Sequence, residues 1–247
     1  MARETAIRRQ NGAALEQSIY DLVRRAIFEH RLPPGTHLPE ETLAAVFGVN
    51  RQRIRRVLLR LAHDKMVDLR PNRGATVAQP SPKEARDLFA VRTVLEELAI
   101  RELVGSLSAE QAARLAEHVA AERMAFEQGD RHTMIRLSGQ FHILLASLTG
   151  NTVLEELIRG LVARSSLLLA LYGGSNEELC SHLEHQELLD AIIAGDQQRA
   201  IQLMDAHLNG IAQRLHLSEP ASAATNLPAI FRELMALPAT SAPPPLR

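Results

Sequence analysis

Three histidines, His142, His185 and His207, are the residues of this chain best suited to hold a metal ion. Each lies in a separate stretch of helical periodicity, with apolar residues on the same face one or two turns away. If those faces meet in one core, the imidazoles can hold one side of a Zn- or Ni-like divalent metal and leave positions open for a carboxylate. No short-range ligand spacing links them, so on the residues alone three independent core or surface histidines are the simpler interpretation.

A second group of residues is basic and lies between Arg51 and Arg73, where eight positive residues accompany two acidic ones. An arginine-rich helix can enter the major groove of DNA, with its first residues at base edges and flanking cations at phosphates. The turn that follows, up to Gly74, would form a wing tip that approaches the minor groove or phosphates. The candidate DNA-binding residues are Arg51, Gln52, Arg53, Arg55, Arg56, Arg60, Arg70, Asn72, Arg73 and Gly74. The alternative is a solvated arginine-rich face, which the order of the surrounding elements disfavours.

The charge of the chain is divided unevenly along its length. Residues 1–80 carry 14 Lys and Arg against 8 Asp and Glu, whereas residues 81–247 carry 14 against 21. A basic part joined to an acidic part indicates a polyanion-binding module attached to one with another role. The single cysteine, Cys180, excludes an internal disulfide and a thiolate zinc cluster.

We expect a cytoplasmic protein without membrane contact. The longest apolar run, residues 167–172, is far shorter than the roughly 20 residues that cross a bilayer. Polar residues also follow Arg8 and Arg9, where a signal peptide would need an apolar core.

The elements that must position the arginines are predicted over residues 13–78. They are helices over 13–30, 40–47 and 51–63 and strands over 66–69 and 75–78. Gly48 is suited to end the second helix and Asn50 to cap the third. Three helices followed by a hairpin is the order of a winged helix-turn-helix. Residues 1–12 before it are expected to be a flexible N-terminus.

The histidines fall in a part of the chain, residues 83–217, that we expect to form a C-terminal antiparallel all-helical bundle. The fold class is therefore mainly α. Its predicted helices cover 83–104, 108–128, 130–149, 151–172, 176–194 and 196–216. Two prolines in residues 79–82 predict a linker before the bundle. Six of the 12 prolines lie in residues 218–247, so we expect a disordered tail apart from a turn near 230–237.

Short motifs in both parts resemble those of a known family. The N-terminal part is similar to the DNA-binding domain of GntR-type bacterial transcription regulators. The residues that carry this likeness are Pro34-Gly35-Thr36-His37-Leu38-Pro39-Glu40, Leu43-Ala44, Gly48-Val49-Asn50-Arg51, Arg55, Leu58, Arg60-Leu61 and Arg70-Pro71-Asn72-Arg73-Gly74. The C-terminal part resembles the FCD ligand-binding domain of the FadR-type subfamily. That likeness rests on Phe89-Ala90-Val91-Arg92, Leu95-Glu96, Phe141-His142, Gly150-Asn151, Glu184-His185, Ala194-Gly195-Asp196 and His207-Leu208.

The resemblance implies a homodimer on a palindromic double-stranded DNA operator, with the bundle sensing a small molecule. It also implies that the family's metal ligands correspond to the three histidines. Two departures affect the DNA-binding part. Glu41 stands where the family often has a DNA-contacting arginine, and Arg53 replaces a common proline. The operator sequence is therefore expected to differ from the subfamily norm.

A third departure affects the metal site. Ser138, a candidate effector-binding residue, stands where the family has an aspartate ligand, four residues before His142. Because a hydroxyl is a poor replacement for a carboxylate, the metal is expected to bind less tightly unless water or an anionic effector completes its shell. Arg92 and Arg164 resemble recurrent arginines of the domain and are candidates to pair with an effector carboxylate, although each could instead be a salt-bridged surface residue. In the alternative without metal, the cavity binds an organic ligand directly and the histidines donate hydrogen bonds.

The leading hypothesis is a ligand-responsive bacterial transcription regulator, usually a repressor in this family, whose bundle takes a small organic acid. One alternative is a metal-dependent hydrolase that uses a water at the three-histidine site. That alternative lacks a well-placed general base and leaves the basic module unexplained. Another is a DNA-architectural protein without sequence preference, which leaves the acidic bundle unexplained.

Overall fold

The computed structural model describes residues 12–70, 74–172, 182–213, 215 and 225–236. The chain divides into two compact units. One comprises residues 1–79 together with 220–247, and the other comprises residues 80–219. Among the described residues, no helix has both the length and the apolar character needed to cross a bilayer.

The first unit contains a winged helix-turn-helix. Its elements before the bundle are α1 (Gly12–Phe28), β1 (His37–Leu38), α2 (Glu40–Phe47), α3 (Arg51–His63), β2 (Val67–Arg70) and β3 (Gly74–Val77). The strands form an antiparallel sheet in the order β1-β3-β2. Ala75 of the central strand β3 lies opposite Leu38 of β1 on one side and Leu69 of β2 on the other. Strand β1 was not predicted, because two residues are too few to show a strand pattern.

The turn between α2 and α3 depends on two residues whose roles were predicted and are confirmed. Gly48 ends α2 in the left-handed conformation, with φ 65°, and its N–H donates to the carbonyl of Ala44. The side chain of Asn50 then accepts a hydrogen bond of 2.9 Å from the backbone N–H of Arg53. These two caps fix the point at which α3 begins, and so fix which arginines occupy its first turn.

The last helix among the described residues, Leu227–Ala236 (α10), also belongs to the first unit and packs on α1 and α2. Its first turn is capped by Asn226, whose side chain accepts from the N–H of Ala229 at 3.1 Å. The sequence predicted only a turn near residues 230–237 within a disordered tail, whereas a helix of ten residues lies there. Pro228 lies in the first turn of the helix, where a backbone N–H would have no partner in any case. The helix forms because the apolar residues along α10 are spaced so that one face is buried.

The second unit is helical. Its elements are α4 (Pro82–Leu103), α5 (Ala109–Glu127), α6 (Arg131–Leu148), α7 (Thr152–Tyr172), α8 (His182–Ile193) and α9 (Gln197–Gln213). Helix α4 packs on α6, α7 and α9, and α5 packs on α6 and α8. Helix α4 starts inside the predicted linker, since Ser81 caps it and Pro82 is tolerated in the first turn. The predicted start of α8, near residue 176, lies outside the described residues.

Candidate functional site

The arginines of helix α3 lie outside the face of the helix that packs into the core. Ile54, Val57, Leu58 and Leu61 are buried on the inner face. The positions between them are polar, so the arginines are distributed over the remaining surface of the helix. The structure divides these arginines into two groups with different partners.

The first group faces α1. One carboxylate, Glu16, lies 2.5 Å from Nη2 of Arg56 and 3.3 Å from Nε of Arg53. The hydrogen bond from Arg56 is the main reason that the pKa of Glu16 is lowered. Further along, Nη2 of Arg60 donates to Gln17 at 2.8 Å, and the guanidinium lies 4.4 Å from the ring centroid of Tyr20. These three arginines are therefore held along the side of α3 that faces α1.

The second group lies at the exposed start of α3. Arg51 donates to Glu41 at 2.8 Å and lies 3.7 Å from Glu40. Gln52 and Arg55 are exposed, and in the described part of the chain neither has a hydrogen-bond or ion-pair partner. We refer to Gln52 and Arg55 as the free pair. The donors of the free pair are therefore uncommitted in the described part of the chain.

The predicted wing is described only in part. Arg70 ends β2, opposite Gly74 at the start of β3. Asn72, Arg73 and the side chain of Arg70 lie outside the described residues. Gly74 has φ +81°, and a Cβ there would lie 2.6 Å from the carbonyl oxygen of Leu38. The close approach of β1 therefore gives a structural reason for glycine at this position, independent of any contact with DNA.

The second site lies in the bundle, where the structure brings the three predicted histidines together. His142 is on α6, His185 on α8 and His207 on α9, and all three are buried. Their potential ligand atoms lie within 4.8 Å of one another. Nε2 of His142 and Nε2 of His207 are 3.3 Å apart. We call these three residues the histidine centre.

Each imidazole of the histidine centre is paired with its own glutamate. Nδ1 of His142 lies 2.5 Å from Glu96, Nδ1 of His185 lies 2.7 Å from Glu122, and Nδ1 of His207 lies 2.6 Å from Glu184. An ionised carboxylate only accepts hydrogen bonds, so this pairing assigns the proton of a neutral imidazole to Nδ1 and makes Nε2 the nitrogen that can act as an acceptor or ligand. Carboxylate–histidine pairs of this kind orient the imidazoles of metal sites.

The pairing makes a divalent cation a good chemical fit for the histidine centre. With both protons on Nδ1, the facing Nε2 atoms of His142 and His207 cannot donate to each other, and one cation could accept both lone pairs. Two nitrogens each about 2.05 Å from one tetrahedral ion would lie about 3.3 Å apart. The observed 3.3 Å separation of these two atoms matches that spacing.

Arg92, a predicted effector residue, belongs to the same network. Burial alone would raise the pKa of Glu96, but the guanidinium of Arg92 and the imidazole of His142 lower it to about 2. Arg92 donates from Nε to Glu96 at 2.8 Å and from Nη1 to Ser165 at 3.0 Å. Its charge is thus matched within the protein, and it links the histidine centre to α7.

The other two predicted effector residues have different surroundings. Arg164 pairs with Glu84 of α4. Ser138 lies one turn before His142 and is half-buried, and its side chain has no hydrogen-bond partner among the described residues. Neither Arg164 nor Ser138 has a recorded contact with the histidine centre in the described part of the chain.

Sequence reasoning missed the three glutamates as members of the site. Glu96 and Glu122 lie on α4 and α5, far along the chain from the histidines that they contact. Glu184 precedes His185 but contacts His207 instead. The available signal was that Glu96 and Glu122 occupy positions on the buried faces of their helices, where a carboxylate is uncommon without a partner.

Comparison with known proteins assigns both units. Residues 15–77 match the family described as bacterial regulatory proteins, gntR family, and residues 87–210 match the FCD domain. The chain belongs to the GntR family of bacterial regulators and carries an FCD domain. The predicted membership and the predicted fold class are thereby confirmed. This GntR-family protein is a transcription regulator, as its family and relatives are, which favours that hypothesis over a hydrolase.

Two relatives of the GntR-family protein illustrate the sequence similarity. It is 25% identical over 201 residues to the HTH-type transcriptional repressor RspR of Escherichia coli (strain K12), an alignment that covers 81% of this chain and 88% of RspR. It is 24% identical over 240 residues to the HTH-type transcriptional repressor NanR of Salmonella newport (strain SL254), which covers 87% and 89%.

Solved structures show the same fold. One is a putative transcriptional regulator GntR from Rhodococcus sp. RHA1, with a TM-score of 0.72 and 23% identity over 81% of this chain and 97% of that one. Another is E. coli McbR/YncC, with a TM-score of 0.69 and 21% identity over 78% and 93%.

Proposed function

We propose that this chain is a homodimeric repressor that binds a palindromic operator and is controlled by a small organic acid bound at a divalent metal in its bundle. The observation that carries the metal part is the meeting of three buried histidines, whose potential ligand atoms lie within 4.8 Å of one another and whose Nδ1 atoms each contact a glutamate. The repressor role is supported by the two relatives whose names describe repressors.

In the proposed DNA complex, α3 enters the major groove. The free pair, Gln52 and Arg55, reads base edges, because its donors have no partner among the described residues. Arg51, Arg53, Arg56 and Arg60 contact phosphates, and so do the wing residues Arg70, Asn72, Arg73 and Gly74. Arg51 must first leave Glu41, an exposed pairing that costs little to break.

In the proposed sensor, the three histidines hold a Zn- or Ni-like ion on one side. A bound ion would supply a Lewis-acidic position for a carboxylate, and Ser138 contributes no negative charge of its own one turn before His142. Arg92 orients His142 through Glu96, so it acts through the histidine centre. For Arg164, binding an effector would require exchange of its partner Glu84.

The proposed dimer uses an exposed apolar face formed by two helices that pack together. Val91, Val94 and Leu98 are exposed along α4, and Val153 and Leu157 are exposed along α7. A second copy of the chain can cover this face about a two-fold axis, which matches a palindromic operator. Val94→Glu should convert a dimer to a monomer in sedimentation, whereas Met124→Glu, at an exposed apolar position on α5, should not.

Metal analysis tests the sensor. Protein purified without chelator should contain about one divalent ion per chain. His185→Ala should lose most of that metal, whereas the control His63→Ala, which removes an exposed imidazole, should keep it. Equally low metal in wild type and His185→Ala would overturn the metal part of the proposal. Thermal-shift screening with small carboxylates, with and without Zn²⁺, then tests the effector class, since a ligand that prefers the folded state raises the melting temperature.

A further inference from the structure

Helix α10 lies outside both family matches, which end at residues 77 and 210, yet it is firmly packed. Leu227, Phe231 and Leu234 follow a helical spacing of four and three residues, and all are buried. An isolated helix of ten residues is marginal in water, so its stability depends on the surface that it covers. That surface is formed by α1 and α2 of the DNA-binding unit.

Specific side chains define how α10 docks. The ring of Phe231 contacts that of Phe47, with centroids 4.9 Å apart and planes inclined by 59°. Nη1 of Arg31 donates to Glu233 at 2.8 Å. An aromatic contact between buried rings contributes free energy beyond the area that it covers, and the ion pair, exposed at Glu233, adds a weaker contact on the outside of α10.

The contact lies next to the turn that places the recognition helix. Phe47 is the last residue of α2, and Gly48 and Asn50 follow it directly to start α3. The same helix α2 carries Glu41, which contacts Arg51 in the first turn of α3. A shift of α2 would therefore move the start of α3 and the free pair with it.

We propose that Phe231 is a positioning residue for DNA reading: through Phe47 it holds α2, and so the start of α3, in the orientation that reads bases. The tail of the chain, residues 225–236, is thus a fourth helix of the helix-turn-helix. This connection also gives the DNA-binding unit a second covalent link to the bundle, since α10 follows α9, the helix that carries His207.

The proposal is tested by comparing two DNA affinities in the full chain. The probes are a duplex selected from a random pool by the wild type and a scrambled duplex of equal length. Phe231→Ala should weaken binding to the selected duplex by roughly tenfold, about the loss of one base contact. Binding to the scrambled duplex, which depends on the charge of the arginines, should be nearly unchanged. Arg232→Ala, at an exposed position of the same helix, should leave both affinities unchanged.

Further measurements separate positioning from stability. If Phe231 only stabilises the unit, Phe231→Ala lowers the melting temperature and the fraction of active protein, but the ratio of the two affinities of the folded fraction stays at the wild-type value. That result would overturn the proposal. Phe231→Leu, which keeps an apolar contact, should restore much of the ratio. Hydrogen exchange should report faster exchange of the amides of residues 44–51 in Phe231→Ala, and unchanged exchange there would also contradict the proposal.

Discussion

Glutamates pair with the candidate functional side chains in both units of this protein, but the most buried of these pairs lie in the bundle. On α3, one carboxylate, Glu16, serves both Arg53 and Arg56, and the side chain of Arg56 is 54% exposed. In the bundle each imidazole has its own glutamate, and the His185–Glu122 pair is 0% and 4% exposed. Exposed pairs are worth about 0–1 kcal/mol and exchange readily, whereas a buried pair is costly to break.

The strength of the pairing in each region suits the role proposed for it. In the proposed DNA complex the arginines leave their carboxylates for phosphates, so weak pairing suits them. In the proposed sensor the histidines keep one orientation towards one ion, so pairing that is costly to break suits them. The predictions below change one glutamate or one arginine at a time and compare the two regions.

The largest effect is expected at Glu96. Glu96→Gln removes the charge that neutralises buried Arg92 and accepts from His142, so an uncompensated guanidinium stays in the core. Breaking a buried pair in this way should lower the free energy of unfolding by about 3–5 kcal/mol. Urea denaturation followed by circular dichroism measures it. A loss of less than about 1 kcal/mol, the scale of an exposed pair, would show that burial does not distinguish the two regions.

The next effect concerns metal affinity. Glu122→Gln keeps an oxygen that can accept from Nδ1 of His185 but removes the negative charge beside it. The affinity for Zn²⁺ should fall by about 10–100-fold, measured by competition with a chromophoric chelator. Glu117→Gln, an exposed change on the same helix, is the matched control. Equal Zn²⁺ affinities in the two variants would contradict a role for Glu122 in the site.

A third prediction separates the two groups of arginines. Arg55→Ala removes a member of the free pair and should cost about 1–3 kcal/mol on the selected duplex while relaxing specificity at one position. Arg56→Ala removes a side chain that pairs with Glu16, and it should weaken binding to the selected and the scrambled duplex equally. The slope of log affinity against log salt concentration should fall by about one, the value for one lost phosphate contact. Fluorescence anisotropy at several salt concentrations distinguishes these patterns. If Arg56→Ala instead weakened binding to the selected duplex only, Arg56 would be the residue that reads bases.

These contacts also show how far the sequence could predict the molecule. The caps at Gly48 and Asn50 were predictable because they depend on neighbours within three or four residues. The meeting of the histidines was suggested by the resemblance rather than by spacing. Their glutamates were not predictable, since Glu96 and His142 are 46 residues apart and only the packing of α4 on α6 brings them together.

Two further features needed the structure for the same reason. From the sequence, the arginines of α3 form one basic cluster. In the structure only Arg53 and Arg56 of that cluster pair with Glu16 on α1. Helix α10 was not predicted, because the surrounding prolines favour disorder and its apolar pattern covers only ten residues. That pattern is explained only by the surface that it contacts, which includes Phe47.

The smallest effect is expected at Glu16. Glu16→Gln frees Arg53 and Arg56 and should raise affinity for both duplexes by a few fold, since an exposed pair is worth about 0–1 kcal/mol. Glu117→Gln changes the net charge equally and controls for it. The hydrogen bond from Arg56 lowers the pKa of Glu16, so Glu16 stays ionised as the pH falls towards its ordinary pKa, and acidification to about pH 5.5 should not mimic the variant. Weaker DNA binding by Glu16→Gln would mean that Glu16 positions the arginines for phosphates instead.

The most direct test of the whole account is one anisotropy titration at near-physiological salt. Wild type should bind the selected duplex at least about 10³-fold more tightly than the scrambled one. Removing metal with a chelator, or adding a carboxylate that raises the melting temperature, should change that affinity in wild type and leave it unchanged in His185→Ala. Equal affinity for both duplexes under every condition would contradict the claim that α3 reads DNA under the control of the histidine centre.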